Sequence, residues 1–199
     1  MRDDSPIYST ITAARAEGLS DSLIEQRVWG RHGTTCAMLA LDSSGMTRIS
    51  HAEGIVHFLS RYMQMRDLAE PVLDAGGCLA WRSFADNLFA EFFEADAALA
   101  AALEIHRTLG AHRLMLTETE PFRVCIGIGF GRVLDNGRAG VMGDEMNLVA
   151  KLAEDVAEGG QTLLTESAYR SLKAPATVPV EELRRTISKV DLTYFRVRE

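Results

Sequence analysis

Apolar positions along this chain fall into two regimes, short continuous runs and longer stretches at helical spacing. Residues 34–41 are a continuous small-and-apolar run of strand length, which predicts a strand buried on both faces, and 78–85 predict a second strand. Residues 122–130, Phe-Arg-Val-Cys-Ile-Gly-Ile-Gly-Phe, predict another, with glycines where a second element packs closely. From 51 to 73, Ile55, Phe58, Leu59, Met63, Leu68 and Val72 recur at helical spacing and predict one or two amphipathic helices, broken at Gly76-Gly77. Asp86-Asn87 has the composition of a hairpin turn, with residues 88–93 returning as a strand. The alanine-rich stretch 95–109 predicts a helix. A glycine-containing loop or hairpin fills 131–142, and 144–158 predicts a helix stopped by Gly159-Gly160. A short strand (161–165), a short helix (166–172) and a hairpin in the last 18 residues complete the chain. At the other end, two short helices are expected at 8–17, capped by Ser or Thr, and at 20–29, capped by Ser20 or Asp21.

The order β-α-α-β-β-α-β with a smaller α/β tail predicts an α+β, ferredoxin-like core: a mostly antiparallel sheet with helices on one face. Residues 1–33 read as an N-terminal helical segment and 34–199 as the domain proper. With 199 residues, 47% hydrophobic and 25% charged, the chain suits one domain with a substantial core. No apolar run approaches the roughly 20 residues that span a bilayer, and the N-terminus lacks a secretory apolar stretch. The expectation is a cytoplasmic protein with no membrane partner. A net charge of −7 counts against a nucleic-acid polymer as partner, but not against a nucleotide held by local lysines and metal. The five histidines show no ligand spacing, which argues against zinc. Cys36, Cys78 and Cys125 are odd in number and lie in apolar runs, which favours buried reduced thiols over a disulfide or a metal cluster.

Two carboxylates change this picture. Asp42 and Asp86 each follow a strand-like run and precede a small-residue turn. Carboxylates at strand ends that converge on one point bind hard divalent cations such as Mg²⁺, and such pairs serve phosphoryl chemistry. The other reading is two turn-forming aspartates with no ligand.

Asp42-Ser-Ser-Gly-Met-Thr47 resembles the first metal motif of class III nucleotide cyclases, Asp-x-x-Gly-Phe-Thr. Gly76-Gly77 followed by Arg82-Ser-Phe-Ala-Asp86 is similar to their Gly-Gly…Lys-x-x-Gly-Asp segment. Ile126-Gly-Ile-Gly with Gly131-Arg-Val is similar to Gly-Ile-x-x-Gly-x-Val, and Gly143-Asp-Glu-Met-Asn-Leu-Val-Ala-Lys-Leu152 to Gly-x-x-Val-Asn-x-Ala-Ala-Arg-Leu. Gly160-Gln-Thr-Leu-Leu-Thr is similar to the strand that follows. These blocks run in family order over residues 36–172. Gly143-Asp144-Glu145 also resembles part of the diguanylate cyclase signature, but that signature belongs on a hairpin and this tripeptide opens a helix.

The resemblance implies cyclisation of a nucleoside triphosphate to a 3′,5′-cyclic nucleotide with release of pyrophosphate, ATP being favoured and the base left open. It implies two Mg²⁺ or Mn²⁺ ions per site, held by Asp42, Asp86 and the Ser43 carbonyl. Main-chain N–H groups of Ser44, Gly45, Met46 and Thr47 would face the triphosphate. Asn147 would orient the ribose, and Lys151, four residues on, would stabilise charge on the α-phosphate. It also implies a head-to-tail homodimer in which the metal aspartates come from one subunit and Arg82, Asn147 and Lys151 from the other.

Several positions depart from the family pattern. Lys151 replaces an Arg, keeping the charge and losing the planar fork. Arg82 replaces the base-reading Lys, and its polar partner falls at Gly140, which has no side chain. Ala85 replaces a Gly, a mild change only if φ is negative there. Met46 replaces a Phe, and Lys189 falls near a triphosphate-binding Lys. Lys151 and Lys189 also read as ordinary solvated lysines. The alternative to an active cyclase is therefore a weak or inactive cyclase-homology domain that binds nucleotide or a partner in signalling. A third reading is a cyclase with an unusual base.

Overall fold

The computed structural model describes residues 5–187 and 190–198. The chain opens with two helices, α1 (Pro6–Ala16) and α2 (Asp21–His32), before the first strand, β1 (Gly33–Ser43). Two helices follow, α3 (Met46–Glu53) and α4 (Ile55–Ala75), then the hairpin of β2 (Ala80–Phe84) and β3 (Asn87–Phe92). Next come α5 (Ala95–Ala111), the long β4 (Val124–Asp135) and the two-residue β5 (Val141–Met142). Helix α6 (Asp144–Lys151) runs into a π-helical turn at Leu152–Val156. The tail is β6 (Thr162–Thr165), α7 (Glu166–Ser171), β7 (Val180–Ile187) and β8 (Val190–Val197).

These strands form one eight-stranded sheet in the order β2-β3-β1-β4-β6-β8-β7, with β5 paired to β4. Among the described residues only β4 and β6 run parallel. The α+β, ferredoxin-like reading of the sequence is the architecture found.

β1 shows why its run is apolar throughout. Ala37, Leu39 and Leu41 face the main core, where Ile49 of α3, Phe58 and Met65 of α4, and Ala102 and Ile105 of α5 meet the sheet. Phe58 has no solvent exposure, and truncating such a side chain to Ala costs about 3–5 kcal/mol. Cys36, Met38 and Ala40 face the other way, against Val149 of α6 and Ala153. So α3–α5 lie on one face as expected, while α6 crosses the opposite face. It can do so because β4 carries Gly127 and Gly129: a Cβ at either position would overlap Val149.

Helix α1 begins two residues before its expected start, because Ser5 caps it by accepting from Tyr8 N–H and Pro6 fits the first turn. Ile7, Ala14, Ile24 and Val28 form a small cluster that takes in Leu134 of β4. Ser5 Oγ donates to Asn136 Oδ1 at 2.5 Å, and Arg132 lies 4.3 Å over the Trp29 ring. Strand β4 extends past residue 130 because β1 pairs along its whole length, Gly33 opposite Leu134. The hairpin turn between β2 and β3 is Ala85-Asp86, one residue earlier than expected, since Phe84 pairs with Asn87.

The three cysteines are free thiols. Burial pushes Cys36 up to about 11 and Cys125 up to about 12, so both are protonated at neutral pH. Cys78 is half-buried rather than buried, just before the edge strand, and its thiol donates to the Ala80 carbonyl at 3.1 Å. Among the described residues no helix is long and apolar enough to cross a membrane.

Candidate functional site

Strand alternation puts Asp42 on the α6 face of β1, in line with Met38 and Ala40. Its register partners are Asn87 on β3 and Cys125 on β4. Asp86 immediately precedes Asn87 in the hairpin turn, so strand pairing alone brings the two aspartates together. The Asp42 carboxyl is pushed up to about 7, first by burial, then by the Asp86 and Glu154 carboxylates. A hydrogen bond from the Ser43 N–H pulls the other way. Burial, Asp155 and Asp86 likewise raise Glu154, while Lys151 lowers it. Glu154 accepts from Asn87 Nδ2 at 3.2 Å.

Among the described residues no three His, Cys, Asp or Glu side chains converge closely enough to hold an ion by themselves. The corner offers the Asp42 and Asp86 carboxylates and main-chain oxygens, with Glu154 near enough to raise Asp42. An all-oxygen donor set with excess negative charge suits Mg²⁺ or Mn²⁺ rather than a soft metal.

The turn after β1 corrects one expectation. Ser44 N–H donates to the Arg123 carbonyl at 3.1 Å, so it does not face a phosphate. Gly45, at φ +95°, caps α3 with no side-chain acceptor, and Met46 and Thr47 open the helix with first-turn N–H groups that lack intrahelical partners. Met46 is half-buried and packs on the main core. Ser43 is buried, and its Oγ, on the alternate face of the strand from Asp42, has no hydrogen-bond partner among the described residues.

Two of the other expected residues, Arg82 and Asn147, line a cavity of about 500 Å³ on the same side of the sheet. Arg82 and Phe89 come from the β2–β3 hairpin, Arg138 from the turn after β4, and Met146 and Asn147 from α6. Arg82 Nη1 donates to Glu91 at 2.7 Å. Gly140 lies against the Arg82 guanidinium so closely that a Cβ there would overlap Cζ. The structure therefore places Arg82 against Gly140 and on one cavity wall with Asn147. Neither Asp42 nor Asp86 is on that wall.

Lys151 lies one turn beyond Asn147 on α6, with Nζ 3.8 Å from Asp155, and does not line the cavity. Lys189 lies outside the described residues. Ala85 has φ +53°, in the left-handed region, so its replacement of a Gly is a strained change and not a mild one. Glu91, Arg138 and Glu154 are the residues that sequence reasoning missed. Glu91 left a faint signal, as a charge alternating with buried positions in the strand that pairs with that of Arg82.

No family model and no curated protein sequence matches the chain. Solved structures do. The guanylate cyclase domain of RhGC from Catenaria anguillulae, in complex with GTP, is 16% identical with a TM-score of 0.70, covering 82% of this chain and 96% of that one. The adenylate/guanylate cyclase/hydrolase from Silicibacter pomeroyi is 22% identical with a TM-score of 0.68, covering 83% and 96%. An adenylate cyclase of Trypanosoma brucei in its monomeric state is 17% identical with a TM-score of 0.69, covering 82% and 87%. At these identities the likeness speaks to architecture. The chain has the fold of class III adenylate and guanylate cyclase catalytic domains.

Proposed function

We propose that the chain is a class III nucleotide cyclase, converting a nucleoside triphosphate to its 3′,5′-cyclic nucleotide and pyrophosphate at a site completed by a second copy arranged head to tail. The observation that carries this reading is the strand pairing that sets Asp42 beside Asp86 at the strand ends of a cyclase fold. Asp42, Asp86 and the Ser43 carbonyl would hold two Mg²⁺ or Mn²⁺ ions. When bound, such ions lower the cost of forming the 3′-alkoxide and neutralise the leaving phosphates.

The chain's own groups supply the remainder. Gly45, Met46 and Thr47 offer main-chain N–H donors to phosphate oxygens at the start of α3. Asn147, on the cavity wall, orients the ribose so that the 3′-oxygen lies in line with the α-phosphorus. Lys151 brings a positive charge to the α-phosphate, and Lys189 one to the triphosphate. The head-to-tail arrangement is supported by the separation of the halves, since the cavity holding Arg82 and Asn147 contains neither aspartate. Three free thiols support a reducing, cytoplasmic setting.

A second reading, a nucleotide-binding domain with little or no turnover, is favoured by Lys151. It lacks the arginine fork, and Asp155 lies 3.8 Å from its ammonium. Incubating the protein with each of the four nucleoside triphosphates and Mn²⁺ or Mg²⁺ separates the two readings. Cyclic nucleotide with equimolar pyrophosphate supports the enzyme, and metal-dependent binding without product supports the second reading. Mixing an Asp42→Ala chain with a Lys151→Ala chain should restore activity that neither has alone. Wild-type activity in both single variants would overturn the site assignment.

A further inference from the structure

We infer that the cavity beside Gly140 selects a 6-oxopurine, so that GTP rather than ATP is the preferred nucleoside triphosphate. The inference rests on the cyclase reading above and concerns which base the site takes. Phe89, Val141 and Met146 give the cavity apolar walls that fit the faces of a purine. Its charged side chains are Arg82 and Arg138, and no carboxylate lines it. Among the described residues the one hydrogen bond of the Arg82 side chain runs from Nη1 to Glu91, which lies off the wall. Nη2 and Nε remain as donors.

Gly140 decides what else stands there. A Cβ on residue 140 would overlap Cζ, Nη2 and Nε of Arg82, so the guanidinium occupies the volume of any side chain at that position. Glycine admits the arginine and keeps an acceptor side chain out of the same place. Glu91 then fixes the plane of the fork.

Guanine presents O6 and N7 as adjacent acceptors, which an arginine meets with two donors. Adenine presents N7 beside an N6 amine, and cytosine an N4 amine, so an amine would face a donor. Uracil has a keto oxygen but no N7. An unmatched buried donor lowers affinity by roughly ten- to a hundredfold.

The test is calorimetric binding of GTP, ITP, ATP and CTP to the full chain with Mn²⁺, with product assayed in parallel. ITP carries O6 and N7 but no 2-amino group, so it isolates the edge in question and needs no variant. GTP and ITP should bind within threefold of each other and at least tenfold more tightly than ATP or CTP. Arg82→Lys, with folding checked by its thermal melt, should bring the four within threefold, and Glu91→Gln should narrow the gap. ATP binding as tightly as GTP, or ITP falling to the level of ATP, would overturn the inference. Selective GTP and ITP binding without product would sustain it while overturning the cyclase reading. Product made best from ATP would do the reverse, and no binding by any nucleotide would overturn both.

Discussion

The same chain carries two polar regions of opposite character on one side of its sheet. The corner at the end of β1 holds Asp42, Asp86 and Glu154, with a carboxyl driven up by burial and its neighbours' charge. The cavity between the hairpin and α6 holds Arg82 and Arg138 and no carboxylate. The corner keeps every metal-ligand position of the cyclase pattern, while the cavity has Arg82 and Gly140 in place of the expected base readers. The contrast separates two kinds of demand. A cation asks only for converging oxygens, so the corner is fixed by charge, whereas a base asks for a pattern of donors and acceptors that can vary with substrate. In the proposed head-to-tail pairing, the acidic corner of one copy meets the arginine-lined cavity of the other.

The largest expected effect tests whether the regions are separable. Asp86→Ala should lower cyclisation by on the order of a hundredfold or more and abolish Mn²⁺ binding. The ratio of GTP to ATP affinity without metal should stay within twofold. Arg82→Ala should do the opposite, erasing the ratio while leaving Mn²⁺ affinity intact. A change of base preference in the Asp86 variant would break the comparison.

Lys151 lies between the two regions, and the next effect is smaller. Lys151→Arg restores a planar fork at the same helix position and should raise kcat by about tenfold, as better transition-state contacts do. KM should change little. An unchanged kcat would mean that the deficit, if any, lies in the cavity.

Legibility in the sequence follows the same division. Asp42 was readable because β1 is buried on both faces and its continuous apolar run stops at a polar turn. The close approach at Gly127 and Gly129 was readable because glycine in a strand has few other uses, although the partner, α6, and its face were not. Glu91 escaped because its contact with Arg82 is diagonal across the hairpin, Arg82 pairing with Phe89 and Glu91 with Ala80. Glu154 escaped for a longer-range reason. In sequence it is one acid of an exposed pair with Asp155, and only the crossing of α6 over β1 brings it toward Asp42. Local chemistry was legible, and contacts made across strands or between layers were not.

The acidic corner also predicts a pH dependence. A carboxyl ordinarily near 4 but close to 7 in the folded state binds its proton more tightly when native. Its contribution to stability is therefore fully present below about pH 4 and is lost as pH rises to about 7. Glu154, also raised, acts in the same direction. Denaturation in chelator between pH 4.5 and 8 should show this decline, and Asp42→Asn should flatten it. Mn²⁺ should oppose it, because the ion competes with the proton for the same oxygens. An equal slope in the unsubstituted chain with and without Mn²⁺ would separate the corner from metal binding.

The smallest effect concerns the turn that presents Asp86. Ala85 at φ +53° carries roughly 1–2 kcal/mol of left-handed strain, which Gly would relieve. Gly also makes the unfolded chain freer, at a cost of about 0.4–1 kcal/mol. Ala85→Gly should therefore raise stability by no more than about 1.6 kcal/mol, read as a small rise in the denaturant midpoint at constant slope. Turnover shows whether that strain serves the corner. If it stays within twofold, Asp86 is held by the Phe84–Asn87 and Asp42–Asn87 pairings, which the substitution leaves in place. If it falls while stability rises, the strained residue itself aims the carboxylate, and the corner depends on local backbone geometry that the arginine-lined cavity does not share.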